Sequence, residues 1–458
     1  MTWLPHRRKN PHPLNILLTN GRFPVSIDLA RQLHRLGHTI FVVDPMHYHV
    51  CRFSRAVKGS TWVPTPHTDA TGFITAVKNV VRQNEIDLII PMHEEIFYLA
   101  ESKDPVIIEK LLAPPWETLL RLHNKWTFSE FLGEIGLAAP RARLCRSKED
   151  IAALLQEPGE WAVKPVFGRA ASNVYHLSQH DSVPSKCDVS EENHYIAQEW
   201  ITGQRYCSYM VIRSGRVQAF SLYPVCETID GSSCVYFRSI AHPKIEEYVT
   251  KLAATLPDVG AQLAFDFIQT DDRLVAIECN PRATSGIHLF SGTTLLAQAL
   301  VSGPPVPPLP TNYSTFTVVP PQGTSRQLAP GMMMWKKSER GPKAYLRHMK
   351  RLCGSKDVVF SKHDLMPSLM QPFLLTSYYE ICRERKLSLP DMFQWDLVWE
   401  PKTSLGGVEK ALGLAGRLEE MTRARREEES MRRDEEEMRR DSGVDRGQGS
   451  EATGSVGV

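Results

Sequence analysis

The stretch from Leu14 to Pro91 limits the possible folds more than any other part of the chain. Three short apolar runs rich in β-branched residues, LNILLT, TIFVVD and IDLIIP, alternate with segments of helical periodicity. Between the first two runs, Ile27, Ala30, Leu33 and Leu36 recur at helical spacing, with Ser26 placed to cap the helix and Gly37 to stop it. Before the third, Phe73, Val77, Val80 and Val81 form a second apolar stripe. A βαβαβ order implies a parallel sheet with right-handed crossovers. A dinucleotide-binding fold would carry a glycine-rich turn after the first strand, whereas Asn20-Gly21-Arg22 offers one glycine. The segment is expected to be an α/β scaffold with no cofactor of its own.

From about His123 the pattern changes. NKWTFSEFLGEIGL reads as an amphipathic helix with Phe128, Phe131, Leu132 and Ile135 on its apolar face, ended by Gly136 with Pro140 beyond. WAVKPVFGRAAS, VYHL, HYIAQEWI, CSYMVIRSGRVQAFSLYPV and AQLAFDFIQTDDRLVAIECN then read as strands and hairpins. One helix, carrying Ile245, Val249, Leu252 and Leu256, lies among them. Antiparallel runs with few helices indicate α+β architecture. VSGPPVPPLP, residues 301–310, is too rich in proline for a helix or a central strand. The segment to about Trp399 has enough apolar and aromatic residues to pack but carries no decodable motif. After Gly407 the chain is almost wholly charged and then low in complexity, which reads as a solvated helix with a disordered end.

Composition excludes some classes of partner. Lys+Arg 54 against Asp+Glu 52 leaves a net charge of +2, which argues against a nucleic-acid binder relying on phosphate neutralisation. The nine cysteines are scattered without a C-x-x-C pair, as expected of reduced thiols in an intracellular compartment. No apolar h-region follows the amino terminus, and no apolar stretch approaches the ~18 residues that span a bilayer. A soluble, cytoplasmic protein with no membrane partner is the expectation.

Chemistry concentrates in the hairpin LAFDF…VAIECNPR. Asp266 faces Glu278 across an antiparallel pair if the connecting loop has an odd number of residues. Asp271-Asp272-Arg273 provides one, with Thr270 opposite Leu274. Asn280 shares the face of Glu278, because side chains alternate with period 2. Two opposed carboxylates repel unless a cation lies between them, and carboxylates with an amide oxygen are ligands that Mg²⁺ prefers. The plainer alternative is an exposed hairpin with solvated carboxylates.

Two further stretches depend on context. Lys164 sits at the end of the apolar strand WAV and would by itself be a surface lysine. It is followed, however, by Gly168-Arg169-Ala170-Ala171-Ser172, small residues whose backbone amides suit close approach to phosphate. YIAQEWITG is either a buried strand crossing or a strand end that offers backbone groups to a planar base, with Trp200 as an apolar wall.

Taken in order, HNKWTF…GLAAP, AVKPVFGRAAS, YIAQEWITG, LAFDF and AIECNPR resemble the ATP-grasp superfamily over residues 15 to about 305. Within it, the carbamoyl phosphate synthetase-like and amino-acid ligase-like members are the nearest in pattern. The resemblance implies an α/β plus α+β chain: a Rossmann-like pre-ATP-grasp domain at residues 1–123, then a two-subdomain ATP-grasp fold at 124–303, split near 197/198. Residues 311–405 would be a C-terminal domain of unread role, and 406–458 a charged tail. It further implies that Lys125, Lys164 and the loop to Ser172 contact ATP phosphates. Gln198, Glu199, Trp200 and Ile201 would form the adenine hinge. Asp266, Glu278 and Asn280 would hold Mg²⁺ (or Mn²⁺), and Arg282 would grip the transferring phosphate.

Relatives often read G-x-E after the hinge, with the acid on the ribose hydroxyls. Gly203-Gln204-Arg205 lacks it, which leaves Gln204 as the substitute. The implied function is an ADP-forming carboxylate–amine ligase taking ATP, a small carboxylate and an amine, with a homodimer left open. The alternatives are a carbamoyl-phosphate-type phosphotransferase, disfavoured by the absence of an internal repeat, and a non-catalytic nucleotide-binding regulatory module.

Overall fold

The computed structural model describes residues 12–168, 173–229, 233–256, 260–301, 318–333, 341–406 and 431. The loop to Ser172, most of the proline-rich connection and the charged tail therefore lie outside the described residues.

Strands β1 (Asn15–Leu18), β2 (Thr39–Asp44), β3 (Gly59–Trp62) and β4 (Leu88–Ile90) form a parallel sheet in the order β3-β2-β1-β4. Helices α1 (Pro24–Arg35) and α2 (Ala70–Gln83) make two of its crossovers. Helix α1 begins earlier than Ser26: Pro24 takes its first position, with Phe23 as a cap that makes no side-chain bond. Proline's fixed φ preorganises that start, and Ser26 is buried in the first turn. Gly37 ends the helix as expected, at φ +87°. Strand β3 has no sequence signal because GSTW is a short, partly exposed edge. Helices α3 (Glu95–Glu101), α4 (Pro105–Ile108) and α5 (Trp116–His123) pack with α2 on one face of the sheet, and α6 (Lys125–Glu134) follows.

A small antiparallel sheet follows, with β5 (Ala142–Cys145), β6 (Glu160–Pro165), β7 (Tyr175–Ser178) and β8 (Tyr195–Glu199) in the order β5-β8-β6-β7. Helix α7 (Lys148–Leu154) covers it, closing a core of Ile151, Leu154, Trp161, Val163, Tyr195 and Ala197. Next come the long strands β9 (Gln204–Arg213) and β10 (Arg216–Pro224), then the short β11 (Thr228–Ile229), β12 (Ser233–Cys234) and β13 (Tyr236–Arg238). After helix α8 (Pro243–Ala254), β14 (Gly260–Gln269) and β15 (Leu274–Asn280) complete a sheet in the order β10-β9-β14-β15.

The two faces of this sheet have different neighbours, as period-2 alternation requires. Met210, Ile212, Phe265 and Phe267 pack with Phe128 and Phe131 of α6 and Leu252 of α8. Tyr209, Val211 and Ala219 turn the other way, into a core shared with Ile16 and Leu29 of the first sheet and Leu296 of α9 (Leu295–Val301). The expected α/β and α+β parts are both present. Helix α6, expected to open the first subdomain, packs instead on the second sheet.

The carboxyl-terminal part holds β16 (Ser325–Gln327), α10 (Ala329–Met333), α11 (Pro342–Gly354), β17 (Lys356–Asp357), α12 (Met366–Leu369), α13 (Gln371–Arg385) and α14 (Leu389–Met392). Residues 311–405, expected from sequence to be a separate domain, divide instead: β16 pairs with β13, whereas the residues after β17 complete the first domain. Leu374, Tyr378, Cys382 and Met392 share its core with Ile27 and Leu33, and Trp399 joins the core on the opposite face of the parallel sheet. The buried Arg22 guanidinium binds Asp44 and Asp396 at 2.7 Å each, and Arg31 binds Asp364 at 2.8 Å. The Gly21 and Arg22 amides donate to the Asp44 carboxylate, so an internal acid fills the turn where a dinucleotide fold would hold phosphate. Among the described residues no helix is long and apolar enough to cross a membrane.

Candidate active site

The β14–β15 hairpin sets the site. Asp266 pairs with Glu278, and Ala264 with Asn280. The route to that register differs from the expected odd loop: Gln269, not Thr270, lies opposite Leu274, and Thr270 to Arg273 form a four-residue turn closed by the Thr270 amide on the Arg273 carbonyl at 2.9 Å. A uniform ladder from that turn would put Ile277 opposite Asp266. The register shifts between Asp266 and Phe267, leaving Ile277 as the extra residue of a β-bulge. Its carbonyl, freed from the ladder, accepts from Gln198 Nε2 at 3.4 Å. The bulge therefore aligns the carboxylates and ties the two antiparallel sheets together.

Two lysines converge on the pair from the other side. Asn124 caps α6 by accepting from the Trp126 and Thr127 amides, and the Lys125 amide donates to the Val166 carbonyl just beyond β6. This places Lys125 Nζ 2.7 Å from the Gly168 carbonyl and 4.0 Å from Glu278. Lys164, in β6, is buried. Burial pulls its ammonium down to about 8, although Glu278 works in the opposite direction. Burial would raise the Glu278 carboxyl, but Lys125 and Lys164 overcome it and hold the group below the usual carboxylate range. Burial, with the neighbouring Cys207 thiol and Glu278 charge, pushes Asp266 well above that range. The two carboxyls are thus displaced in opposite directions, Asp266 up and Glu278 down.

The donors suit a divalent cation: two carboxylates facing each other and one amide oxygen, all hard ligands, one acid neutral for want of positive charge. No group of three His, Cys, Asp or Glu side chains able to hold a metal occurs among the described residues. Magnesium commonly takes one or two carboxylates and completes its shell with water and substrate phosphate, so two suffice. Asn280 Oδ1 now accepts from Arg282 Nη2 at 2.9 Å, and its Nδ2 donates to Glu278 at 3.3 Å. Its oxygen must exchange or share that arginine to bind an ion.

The structure thus brings Lys125, Lys164, Asp266, Glu278, Asn280 and Arg282 together. The hinge residues are arranged differently from a simple row of open backbone groups. The Glu199 and Trp200 amides already donate to the carbonyls of Arg141 and Glu160, while the Ile201 amide has no backbone acceptor among the described residues. The Glu199 side chain is committed too, to the Arg141 amide at 2.8 Å and to Arg273 at 2.9 Å. Trp200 stacks on His176 with centroids 3.9 Å apart, so one of its faces is covered. Gln204, exposed at the start of β9, turns its amide nitrogen to the Arg205 carbonyl at 3.0 Å. Gly203 before it has to be glycine, since a Cβ there would lie 2.3 Å from the Gln269 carbonyl oxygen. Ser172 lies outside the described residues.

Two neighbours of the site escaped the sequence reading. Cys207 pairs with Asp266 across β9 and β14. Glu94 approaches Arg282 Nε to 3.7 Å from the first sheet. A carboxylate just after the third apolar run, at the carboxyl end of a parallel strand, was the available signal for Glu94.

Residues 122–286 match the family model of the ATP-grasp domain. Among solved structures, N5-carboxyaminoimidazole synthetase from Staphylococcus aureus complexed with ADP is similar, with a TM-score of 0.50 and 16% identity over 64% of this chain and 78% of that one. Biotin carboxylase from Campylobacter jejuni, in a β,γ-ATP complex, gives 0.51 and 15% over 65% and 72%. Carboxyaminoimidazole ribonucleotide synthase from Aspergillus clavatus, complexed with ATP, gives 0.51 and 15% over 66% and 79%. At these identities the likeness is one of fold. No curated protein sequence matches the chain significantly.

Proposed function

With an ATP-grasp domain at residues 122–286 as the premise, we propose that the chain is an ATP-dependent ligase that activates a carboxylate as an acyl phosphate for attack by an amine. The observation that carries this reading is the convergence of Lys125 and Lys164 on the opposed Asp266 and Glu278, with Asn280 and Arg282 beside them. Phosphoryl transfer needs positioning and charge stabilisation more than covalent chemistry, and these groups supply both.

Lys125 and Lys164 meet the nucleotide's phosphates from α6 and β6. The base lies against the strand end Gln198 to Ile201, where the Ile201 amide is the donor left to it. Gln204 turns from its own backbone to the ribose hydroxyls. Asp266, Glu278 and Asn280 are the residues that would hold Mg²⁺ or Mn²⁺. Such an ion would supply positive charge that offsets the charge of the phosphates. Arg282 presents a planar fork that can grip two oxygens of the transferring group, which a lysine cannot do. A carboxylate oxygen forms a bond to the γ-phosphorus as the bond to ADP breaks. The amine then bonds to the acyl carbon as phosphate leaves, and its proton is lost.

The test is ADP release across a panel of small carboxylic acids and amines. At least one acid–amine pair should stimulate ADP release well above the rate with ATP alone. Glu278→Gln should abolish that stimulation without moving the thermal unfolding midpoint. Stimulated release that persists in Glu278→Gln at the same Mg²⁺ concentration would remove the proposed metal set.

A further inference from the structure

Glu94 follows β4 and is fully buried, with a side-chain exposure of 0%. One carboxylate oxygen stands 3.7 Å from Arg282 Nε, and the other accepts from the Trp399 amide at 3.2 Å. The rest of the guanidinium is directed elsewhere: Nη2 donates to Asn280 Oδ1 at 2.9 Å and Nη1 to the Ala283 carbonyl at 3.2 Å. With Glu94 facing Nε, the two terminal nitrogens keep contacts of their own, and Nη2 is the one turned to Asn280 of the proposed metal set. A bidentate grip on a phosphoryl group would exchange those two contacts while Glu94 still faced Nε.

The carboxylate is itself held from two sides. Gln262 Nε2 of β14 donates to the Pro91 carbonyl at 3.0 Å, fixing the chain just before Glu94 against the sheet that carries Asp266. Trp399 is buried and packs on Phe97 at 5.6 Å, Trp116 at 5.4 Å and Phe167 at 5.6 Å. Phe167 immediately precedes Gly168, whose carbonyl receives Lys125 Nζ. One carboxyl-terminal residue therefore backs both the anchor of Arg282 and the start of the loop that Lys125 meets.

We propose that Glu94 is a positioning residue for Arg282, seated by the carboxyl-terminal segment through Trp399. The inference rests on the reading above in which Arg282 grips the transferring phosphoryl group. It adds that the first sheet and the carboxyl-terminal segment, outside the matched domain, set the direction of that grip.

Calorimetry on the full-length protein tests this, with Mg²⁺–ADP alone and with Mg²⁺–ADP plus aluminium fluoride as a mimic of the phosphoryl group in flight. Wild type should bind ADP more tightly when fluoride complexes are present. Glu94→Gln should leave Mg²⁺–ADP affinity within about twofold yet lose about tenfold or more of the tightening, the range typical of residues that orient a ligating group. Glu94→Asp should fall between the two, and it serves for the same comparison if Glu94→Gln fails to fold. A residue acting only through Arg282 costs nothing further once Arg282 is replaced, so Glu94→Gln/Arg282→Lys should match Arg282→Lys. Full tightening in Glu94→Gln, or losses that multiply in the double variant, would overturn the proposal while leaving Arg282 in place. No tightening in wild type, or full tightening in Arg282→Lys, would remove Arg282 from the phosphoryl site and this inference with it.

Discussion

Lys164 shows what single residues contribute and how much of that can be read in advance. The small residues that follow it drew attention to it, but its charge state depends on burial and on Glu278 and Lys125, which only the fold brings together. The ammonium is lowered to about 8, so the charged form that attracts phosphate prevails below that pH and is lost above it. The kcat/KM for ATP should therefore fall up to tenfold per pH unit above about 8, and Lys164→Arg should flatten that limb because guanidinium does not titrate there. Asp266 is displaced in the opposite direction, so it must lose a proton before a cation binds. Mg²⁺ dependence should weaken as pH falls, with protons released on binding, measurable by calorimetry in buffers of different ionisation enthalpy. The facing of Asp266 and Glu278, with Asn280 on the same side, was legible because strand alternation is local. Glu94 was not, since its partner lies almost two hundred residues away in sequence.

At the scale of elements, the β14–β15 hairpin corrects a reasonable expectation. The pairing of Asp266 with Glu278 followed from sequence, yet the expected turn was one residue too short, and the bulge at Ile277 makes up the difference. Bulges carry no strong sequence signature, so the right pairing was reached through the wrong turn. The strand-end linker gives a sharper test. Gly203 touches the β14 backbone so closely that Gly203→Ala must push β9 from β14. It should cost about 1–3 kcal/mol, read as a lower urea midpoint, and should weaken ATP binding because the hinge moves with it. Unchanged stability would show that the linker has room. The αβ alternation of the first sheet was easily read, while β3 was missed because it is a short, half-exposed edge.

The whole molecule is joined through contacts that no local pattern encodes. Residues 311–405 were expected to be a separate domain because they carry no decodable motif, yet Asp396 and Trp399 bind Arg22 and Glu94 across more than three hundred positions. Asp396→Asn should leave Arg22 with one full ionic partner and cost about 1–3 kcal/mol in urea unfolding. A chain cut after Gly406 keeps Trp399 and the bonds of Ser404, Leu405 and Gly406 to Glu101, and should retain full ADP release. A cut after Leu387 removes Asp396 and Trp399 and should lose both stability and turnover. The central claim is that a carboxylate oxygen attacks the γ-phosphorus, and isotope transfer tests it directly. With an acid that stimulates ADP release, labelled with ¹⁸O in its carboxylate, ³¹P spectra should show one ¹⁸O in each inorganic phosphate formed. Label in AMP, or none in phosphate, would contradict the acyl phosphate.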